Sequence, residues 1–577
     1  MVDVPKKPGR RLRGLLAIAC FAIASAFVMQ SEGWAAISNY ALTRALTNGT
    51  AKVDSYHWDT KDVAWYRGHY YSVKAPLMPA MTAPLYAALK AAGAPNAAID
   101  VAISARKSGS WRWRPGATYT ALYGPNRLRT YHVRWAIEKA GPMVWALGLL
   151  GNVLPAVVLL LLVRRVAERF EPGYGTAAAI TLGLGTLILP FSTLFFSHVL
   201  SATLAFAAFT VLLAERDRAP RRWLLAAGGL LAGLAFTSEY PLALAGLVLG
   251  AYAISRGPAV KRGLIYAGGW ALGALPLFAY NAWAFGSITH FSYTDAVKLV
   301  GTSGHDALGL NDSGFFGINL PSPRVALELL FASKGLLVLT PVLALSVVGI
   351  VLLRRRGRRA EAYTIGGLAV AYLFYNSGYW LPFGGGTPGP RFLIPVLPFL
   401  AVPLALAYRR LPATTLALAA PSAIFMITAT ITLPLLVNNN VGFWATLAGA
   451  SNFENTLLSP LGAGHDWAAV APVLAALALA AAFAAAATGP LRRSRLDLVP
   501  AVAALAGWAL VAAAGPWILD RDSAVAGDGG FAVLIGVGAG TGLAALAIAV
   551  LARRFRLPAG WRARLDTRPR EAPVAAP

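Results

Sequence analysis

The chain has 577 residues, of which 57% are hydrophobic and 13% charged, and its formal net charge is +26. Soluble domains carry roughly 25% charged residues, so a water-soluble enzyme is excluded, and repeated apolar runs of about 20 residues mark an integral membrane protein. The positive charge sits in short clusters between those runs, as topology signals do, and not on a basic folded face with interleaved aromatics; the expected partner is the bilayer and no nucleic acid.

In chain order, residues 1–13 form a basic cytoplasmic N-terminus containing Lys6, Lys7, Arg10, Arg11 and Arg13. The apolar run behind them reads as an uncleaved signal-anchor. The only cysteine, Cys20, lies in that run and reads as a small packed apolar residue. The fold class is an all-α polytopic membrane protein with about fourteen spans. They are expected near 14–32, 141–163, 174–191, 197–214, 223–238, 241–255, 263–283, 333–353, 361–381, 390–408, 413–437, 467–487, 497–518 and 531–552. The pair around Thr237-Ser-Glu-Tyr-Pro241 reads either as two short spans or as one kinked helix.

Basic clusters at Arg164-Arg165, Arg221-Arg222, Lys261-Arg262, Arg354–Arg356, Arg409-Arg410, Arg492-Arg493 and Arg553-Arg554 all fall on the side of the N-terminus. The positive-inside rule then places both termini in the cytoplasm. Loops 33–140, 284–332, 382–389 and 438–466 face outward. Residues 14–410 form a core with the large first loop, 411–557 add further C-terminal helices, and 558–577 form a basic, disordered cytoplasmic tail.

The first loop holds most of the chemistry-capable side chains. Ser38–Asn48, with Leu42 and Leu46 four apart, has the spacing of a helix lying on the membrane surface. Pro76 to Ala92 reads as a second interfacial helix. Between them, Asp54, Asp59 and Asp62 are carboxylates fit to act as general base or to hold a divalent cation, which is a candidate cofactor. His57 and His69 can assist either role. The bland alternative for each is a solvated loop side chain. Neighbouring aromatics (Tyr56, Trp58, Trp65, Tyr66) suit either a sugar site or a membrane-interface belt. Lys74 is placed to meet phosphate as a point charge or to snorkel as an anchor.

Five polar residues stand at the outer ends of spans: His198, Glu239, Asn281, Asn376 and Arg391. Such residues are functional candidates by default, and their common side favours one outward-facing cavity. The segment Gly384-Gly-Gly-Thr-Pro-Gly-Pro-Arg-Phe-Leu-Ile-Pro395 feeds Arg391 into a helix start, a pattern suited to anions. It lacks the Lys-Ser/Thr ending of a nucleotide P-loop. His290, Asp295, His305, Asp306 and Asp312 match no metal-ligand spacing, and no hydrolase or zincin signature occurs.

Asn39-Tyr-Ala-Leu opening the first interfacial helix, Lys74-Ala-Pro76 heading the next, and Gly389-Pro-Arg-Phe-Leu-Ile-Pro395 together resemble the GT-C superfamily of polytopic glycosyltransferases. That superfamily includes protein O-mannosyltransferases and lipid A aminoarabinose transferases. The resemblance implies a polyprenyl-phosphate sugar as donor and an extracytoplasmic glycan, lipid or protein as acceptor, with transfer by inversion in the inner or plasma membrane. It implies a donor-phosphate contact for Lys74, with Arg391 in a segment common to the family; on our own reading Lys74 and Arg391 stabilise the phosphate leaving group, and His69 and Glu239 are candidates to position donor or metal. Members usually carry an acid, often a pair, just before the Tyr of the first interfacial helix, where this chain has Ala36-Ile-Ser-Asn39 and its nearest acid is Glu32. The catalytic carboxylate then falls to Asp54 or Asp62. The alternatives are a membrane transporter or lipid flippase, which calls for discontinuous helices and midplane polar groups, and a non-catalytic envelope-assembly protein.

Overall fold

The computed structural model describes residues 8–112, 118–122, 128–217, 220–296, 317–436, 440–489, 497–520 and 528–554. The loop candidates His305, Asp306 and Asp312 and the tail from Pro558 lie outside the described residues.

The chain enters through α1 (Pro8–Phe27) and then builds the first loop from α2 (Trp34–Thr47), α3 (Leu77–Ala91) and α4 (Ala94–Lys107). A continuous helix from α5 (Val133–Gly148) through a π-turn into α6 (Leu154–Phe170) returns it to the bundle. Next come α7 (Gly175–Leu184), α8 (Ile188–Thr193), α9 (His198–Arg216), α10 (Arg222–Ser238), α11 (Leu242–Ile254) and α12 (Ala259–Phe285). The second half holds α13 (Pro323–Phe331), α14 (Leu336–Leu339), α15 (Leu345–Arg355), α16 (Arg359–Gly378), α17 (Leu397–Arg410) and α18 (Pro412–Thr432). It closes with α19 (Phe443–Gly449), α20 (Trp467–Ala487), α21 (Leu498–Leu519) and α22 (Gly529–Arg554).

Each expected span overlaps one or more helices, and the count of fourteen is not confirmed. Among the described residues eight helices are long and apolar enough to cross a membrane, or nine if Pro323–Leu339 and Pro341–Arg355, bent by 104°, form one broken span. Three expected spans are instead short apolar helices, α7, α10 and α11, and the 20-residue helices α1 and α16 are not among the eight. For the three short helices the physical reason is interruption. Gly185 ends α7, and Glu239 leaves the helix for extended backbone ahead of Pro241, so α10 and α11 are two helices rather than one kinked one.

Small residues let α10 and α12 touch backbone to backbone. A Cβ added at Gly229 would stand 2.1 Å from Tyr266 O, at Gly233 2.1 Å from Trp270 O, at Gly269 2.1 Å from Ala226 O, and at Gly273 2.2 Å from Leu230 O. This is the small-xxx-small packing that replaces hydrophobic drive between helices in lipid. Thr237 Oγ1 reinforces it by donating to Gly273 O at 2.9 Å. Gly233→Val is therefore expected to force the helices apart and to cost about 1–3 kcal/mol as overpacking, read as a lower unfolding midpoint of the purified protein in detergent.

One end of the bundle is held by arginines on buried acids. Glu171 takes Arg356 at 2.5 Å and also Arg409; Asp217 takes Arg358 at 2.7 Å and also Arg169; Glu215 takes Arg262 at 2.7 Å and Arg256 at 3.3 Å. A buried acid stripped of its cation would be strongly destabilising. Because α9 and α17 finish at this end, and α10 and α16 start there, His198, Glu239 and Arg391 stand at the opposite end.

The first loop departs from expectation in two ways. Ten of the fourteen residues of α2 are buried, so it is packed under α3 and the following hairpin and does not lie open on a membrane surface. Its small side chains (Ala35, Ala36, Ser38, Ala41) permit that close approach. Three two-stranded sheets also occur among the described residues, the first pairing β1 (Val28–Met29) with Asn455–Thr456. The hairpin β2 (Val63–Tyr66) with β3 (His69–Ser72) is built from aromatic and β-branched residues. Its turn places Arg67 and Gly68 at φ +47° and +83°, the two positive values a tight hairpin turn requires.

Candidate functional site

A cavity of about 800 Å³ opens where the first loop meets the ends of α9, α10, α11, α16 and α17. Its polar lining includes Asn39, Lys74, His198, Glu239, Tyr240, Tyr293, Tyr375, Tyr379 and Arg391, with Ser197 and Ser238. The rest is largely aromatic or aliphatic, including Phe196, Phe236, Leu244, Phe291, Ala371, Phe374 and Phe392. Phe374 is 57% exposed, so the apolar wall reaches the outside of the bundle along α16.

Lys74 follows β3, and its Nζ lies 2.8 Å from Asp62 Oδ2, with the two side chains 15% and 14% exposed. Three hydroxyl contacts fix this pair. Ser72 Oγ accepts from Lys74 N at 3.1 Å, lies 2.7 Å from Ser38 Oγ, and Ser38 Oγ reaches Asp62 O at 2.6 Å. Ser38 thus links α2 to both partners. Asn39 beside it donates to Phe195 O at 3.4 Å, while its Oδ1 is buried without a partner at the cavity wall.

Arg391 heads the 3₁₀ turn Arg391–Val396 that leads into α17. Its guanidinium lies over Phe196 at 5.5 Å and Phe392 at 5.1 Å, and Nε is buried with no hydrogen bond. Glycine is required in the loop ahead of it: Gly384 has φ +77°, and a Cβ there would stand 2.3 Å from Arg391 Nε. Lys334 Nζ donates to Gly385 O at 3.0 Å, and Thr387 Oγ1 bonds Phe383 O at 2.7 Å, holding the glycine-rich loop in place.

His198 begins α9 and Glu239 ends α10. His198 Nδ1 lies 2.5 Å from Glu239 Oε1, and Ser201 Oγ donates to Glu239 Oε2 at 3.2 Å. The imidazole packs among Phe191, Phe196 and Phe392 at centroid distances of 5.2, 5.8 and 5.9 Å. Tyr293, on the loop after α12, has its phenol pushed upward by burial, so it remains a neutral hydroxyl.

The sequence-derived candidates divide into two groups. Lys74, Glu239 and Arg391 line the cavity, and Asp62 is bound to Lys74 at its edge. Asp54 and His69 are absent from the lining. Asp54 Oδ1 accepts from Tyr70 N at 2.6 Å, and Oδ2 lies 2.8 Å from His69 Nδ1, so both serve the turn end of the hairpin. His69 Nε2 is in turn 3.0 Å from Lys52 Nζ. His57 Nδ1 donates to Asp54 O at 2.5 Å and stacks on Tyr70; burial pushes its imidazole below the ordinary value. Asp59 pairs with Arg44 at 2.7 Å. We expect Asp54→Asn to keep the turnover number of any activity within about threefold while costing about 1–2 kcal/mol of stability through weakened local bonds; thermal melts and kinetics on one preparation check this.

Asn376 is fully buried in α16 with both amide atoms unpaired, and Asn281 donates to Ile288 O at 3.3 Å; neither lines the cavity. The tyrosines of the lining and Lys334 escaped the sequence reading. Tyrosines at membrane ends read as interface belts, and nothing local to Lys334 announces a loop fifty residues away. A divalent cation has no ready cage: among the described residues no three His, Cys, Asp or Glu side chains converge, and Asp62 and Glu239 are engaged with Lys74 and His198.

No protein-family profile matches the sequence, and no curated protein matches it. Among solved structures, the chain is similar to ArnT from Cupriavidus metallidurans bound to undecaprenyl phosphate (16% identity, TM-score 0.44, 95% of this chain and 81% of that one). The apo state of the same protein gives 14% identity, a TM-score of 0.43, and 83% and 77% coverage. The apo oligosaccharyltransferase of Archaeoglobus fulgidus gives 13% identity and a TM-score of 0.35, over 83% of this chain and 57% of that one. At these identities and scores, function rests on the residues of the cavity. The chain itself is an integral membrane protein of predominantly helical, polytopic fold.

Proposed function

We propose that the protein is a membrane glycosyltransferase that moves a sugar from a polyprenyl-phosphate donor to a hydroxyl of an extracytoplasmic glycan, lipid or protein. One observation carries this reading: Lys74 and Arg391 stand at the head of a cavity whose apolar wall runs to the outside of the bundle at Phe374. That combination suits a ligand with an anionic head and a long hydrocarbon tail. The arginine-rich opposite end of the bundle supports an outward-facing site by the positive-inside rule.

The two cations divide the work. Asp62 already balances Lys74, and Glu239 faces His198, which leaves Arg391 as the cation with no ion pair among the described residues. Arg391 offers a planar set of donors to phosphate oxygens, and Lys74 adds a point charge. As the bond from the anomeric carbon to phosphate breaks, negative charge builds on the leaving oxygen, and prearranged donors there lower the barrier. Direct displacement by the acceptor oxygen from the opposite face inverts the anomeric carbon. Asp62 orients Lys74 in this scheme. No step is routed through a metal ion.

The tail adds little affinity, because lipid is as apolar as the cavity wall and offers no hydrophobic drive. Binding is then governed by the phosphate. The test is binding of a labelled polyprenyl-phosphate sugar to the purified protein. Competition by polyprenyl phosphate and none by the free sugar at equal concentration is expected; equal competition by both would sink the reading.

A second reading has one observation in its favour. Helices broken at Glu239 and Thr340 are also used by transporters around a central site. Dependence of activity on an ion gradient would favour it.

A further inference from the structure

The displacement needs a group to take the acceptor's proton, and neither sequence-derived carboxylate is well placed. Asp54 is spent on the hairpin, and Asp62 is held by a lysine 2.8 Å away, which makes it a poor proton acceptor. The cavity contains a different pair. His198 Nδ1 is 2.5 Å from Glu239 Oε1, and Ser201 fixes the other carboxylate oxygen. The Glu239 carboxylate beside Nδ1 falls outside hydrogen-bond geometry in this structure, yet its negative charge at 2.5 Å favours the proton on Nδ1 and leaves the lone pair on Nε2. Among the described residues no hydrogen bond reaches Nε2, and the residue lines the cavity.

The same two rings connect this pair to the phosphate site. Phe196 and Phe392 each lie within 6 Å of the His198 imidazole and also of the Arg391 guanidinium. An ion pair serving only to join α9 to α10 would need neither an open Nε2 nor a place in the wall beside Arg391.

We propose that His198, oriented by Glu239, is the general base that activates the acceptor hydroxyl, a role that rests on the glycosyl-transfer reading above. The acceptor oxygen forms its bond to the anomeric carbon, and its proton passes to Nε2. The bond from that carbon to the phosphate oxygen breaks, and its electron pair leaves with the polyprenyl phosphate. Glu239 keeps the imidazole in register and balances the imidazolium that results, so it is a positioning residue.

The experiment measures two quantities on the full-length protein: binding of a labelled polyprenyl-phosphate sugar, and its transfer with cell membranes as acceptor source. His198→Gln is expected to lower transfer at least 100-fold with donor affinity within threefold of wild type. Glu239→Gln is expected to lower the rate about 10-fold and to shift its pH profile. Added imidazole is expected to restore part of the activity of His198→Ala, which also keeps the test valid should the glutamine variant fold poorly. Transfer by His198→Gln above one third of wild type, or no imidazole rescue of a His198→Ala protein that binds donor, overturns the assignment alone. Failure of the wild type to bind donor overturns the reading beneath it as well.

Discussion

Arg391→Ala is expected to lower donor-lipid affinity and transfer rate by about 10²–10³-fold, the size of effect seen when a prearranged donor to a developing anion is removed. Several features make this the largest single effect. Arg391 has no ion pair to lose among the described residues, its Nε is buried without a hydrogen bond, and two phenyl rings and the glycine-rich loop determine where it stands. Arg391→Lys is expected to recover little, since a point charge cannot reproduce the planar donor set. Titration of labelled donor against wild type and both variants measures the effect. Wild-type affinity in the alanine variant would remove Arg391 from the site.

Lys74→Met comes next. It removes a cation from the cavity and takes from the Asp62 carboxylate, only 14% exposed, the ammonium 2.8 Å away. Two penalties then coincide: loss of phosphate attraction and loss of the lysine's charge beside a nearly buried carboxylate, the latter costing up to about 3–5 kcal/mol when a buried pair is broken from one side. A fall of at least 100-fold in donor affinity is expected together with a lower melting point. The double variant Lys74→Met with Asp62→Asn separates the two penalties. It is expected to regain most of the stability and little of the binding; recovery of both would make Lys74 a purely structural residue.

How much of this was legible beforehand varied with the physics involved. Helix positions followed from hydropathy, because lipid admits few other solutions. The break at Glu239 was readable as one of two options, since Pro241 and a charged residue inside an apolar stretch both disfavour a continuous helix. Burial of α2 was not legible: an amphipathic spacing at a membrane edge looks the same whether the partner is a headgroup layer or another helix. Strands β2 and β3 hid among residues that also suit an interface belt.

Among the candidate residues, Glu239 and Arg391 stood out because charge is costly near lipid, and Lys74 because it sits where the chain re-enters the interface. Asp54 and Asp62 looked equivalent by composition. Only the fold distinguishes them, by setting one against Tyr70 N and the other against Lys74. His198 stood out singly, but its pairing joins residues forty-one positions apart on two helices, which no local pattern encodes. Ser38 is the reverse case: nothing in a serine on an amphipathic helix announces a role, and in the fold it supports the Asp62–Lys74 pair.

The central claim is that the cavity cleaves the bond between a sugar and a polyprenyl phosphate. The most direct measurement supplies purified protein in detergent, where no gradient exists, with a polyprenyl-phosphate sugar labelled in both halves and membranes as acceptor source. The account predicts that label in the sugar moves to acceptor while labelled polyprenyl phosphate is released in equal amount, and that Arg391→Ala abolishes both. An intact donor after prolonged incubation in detergent, alongside gradient-dependent movement of the uncleaved lipid in sealed vesicles, would contradict it and identify a transporter.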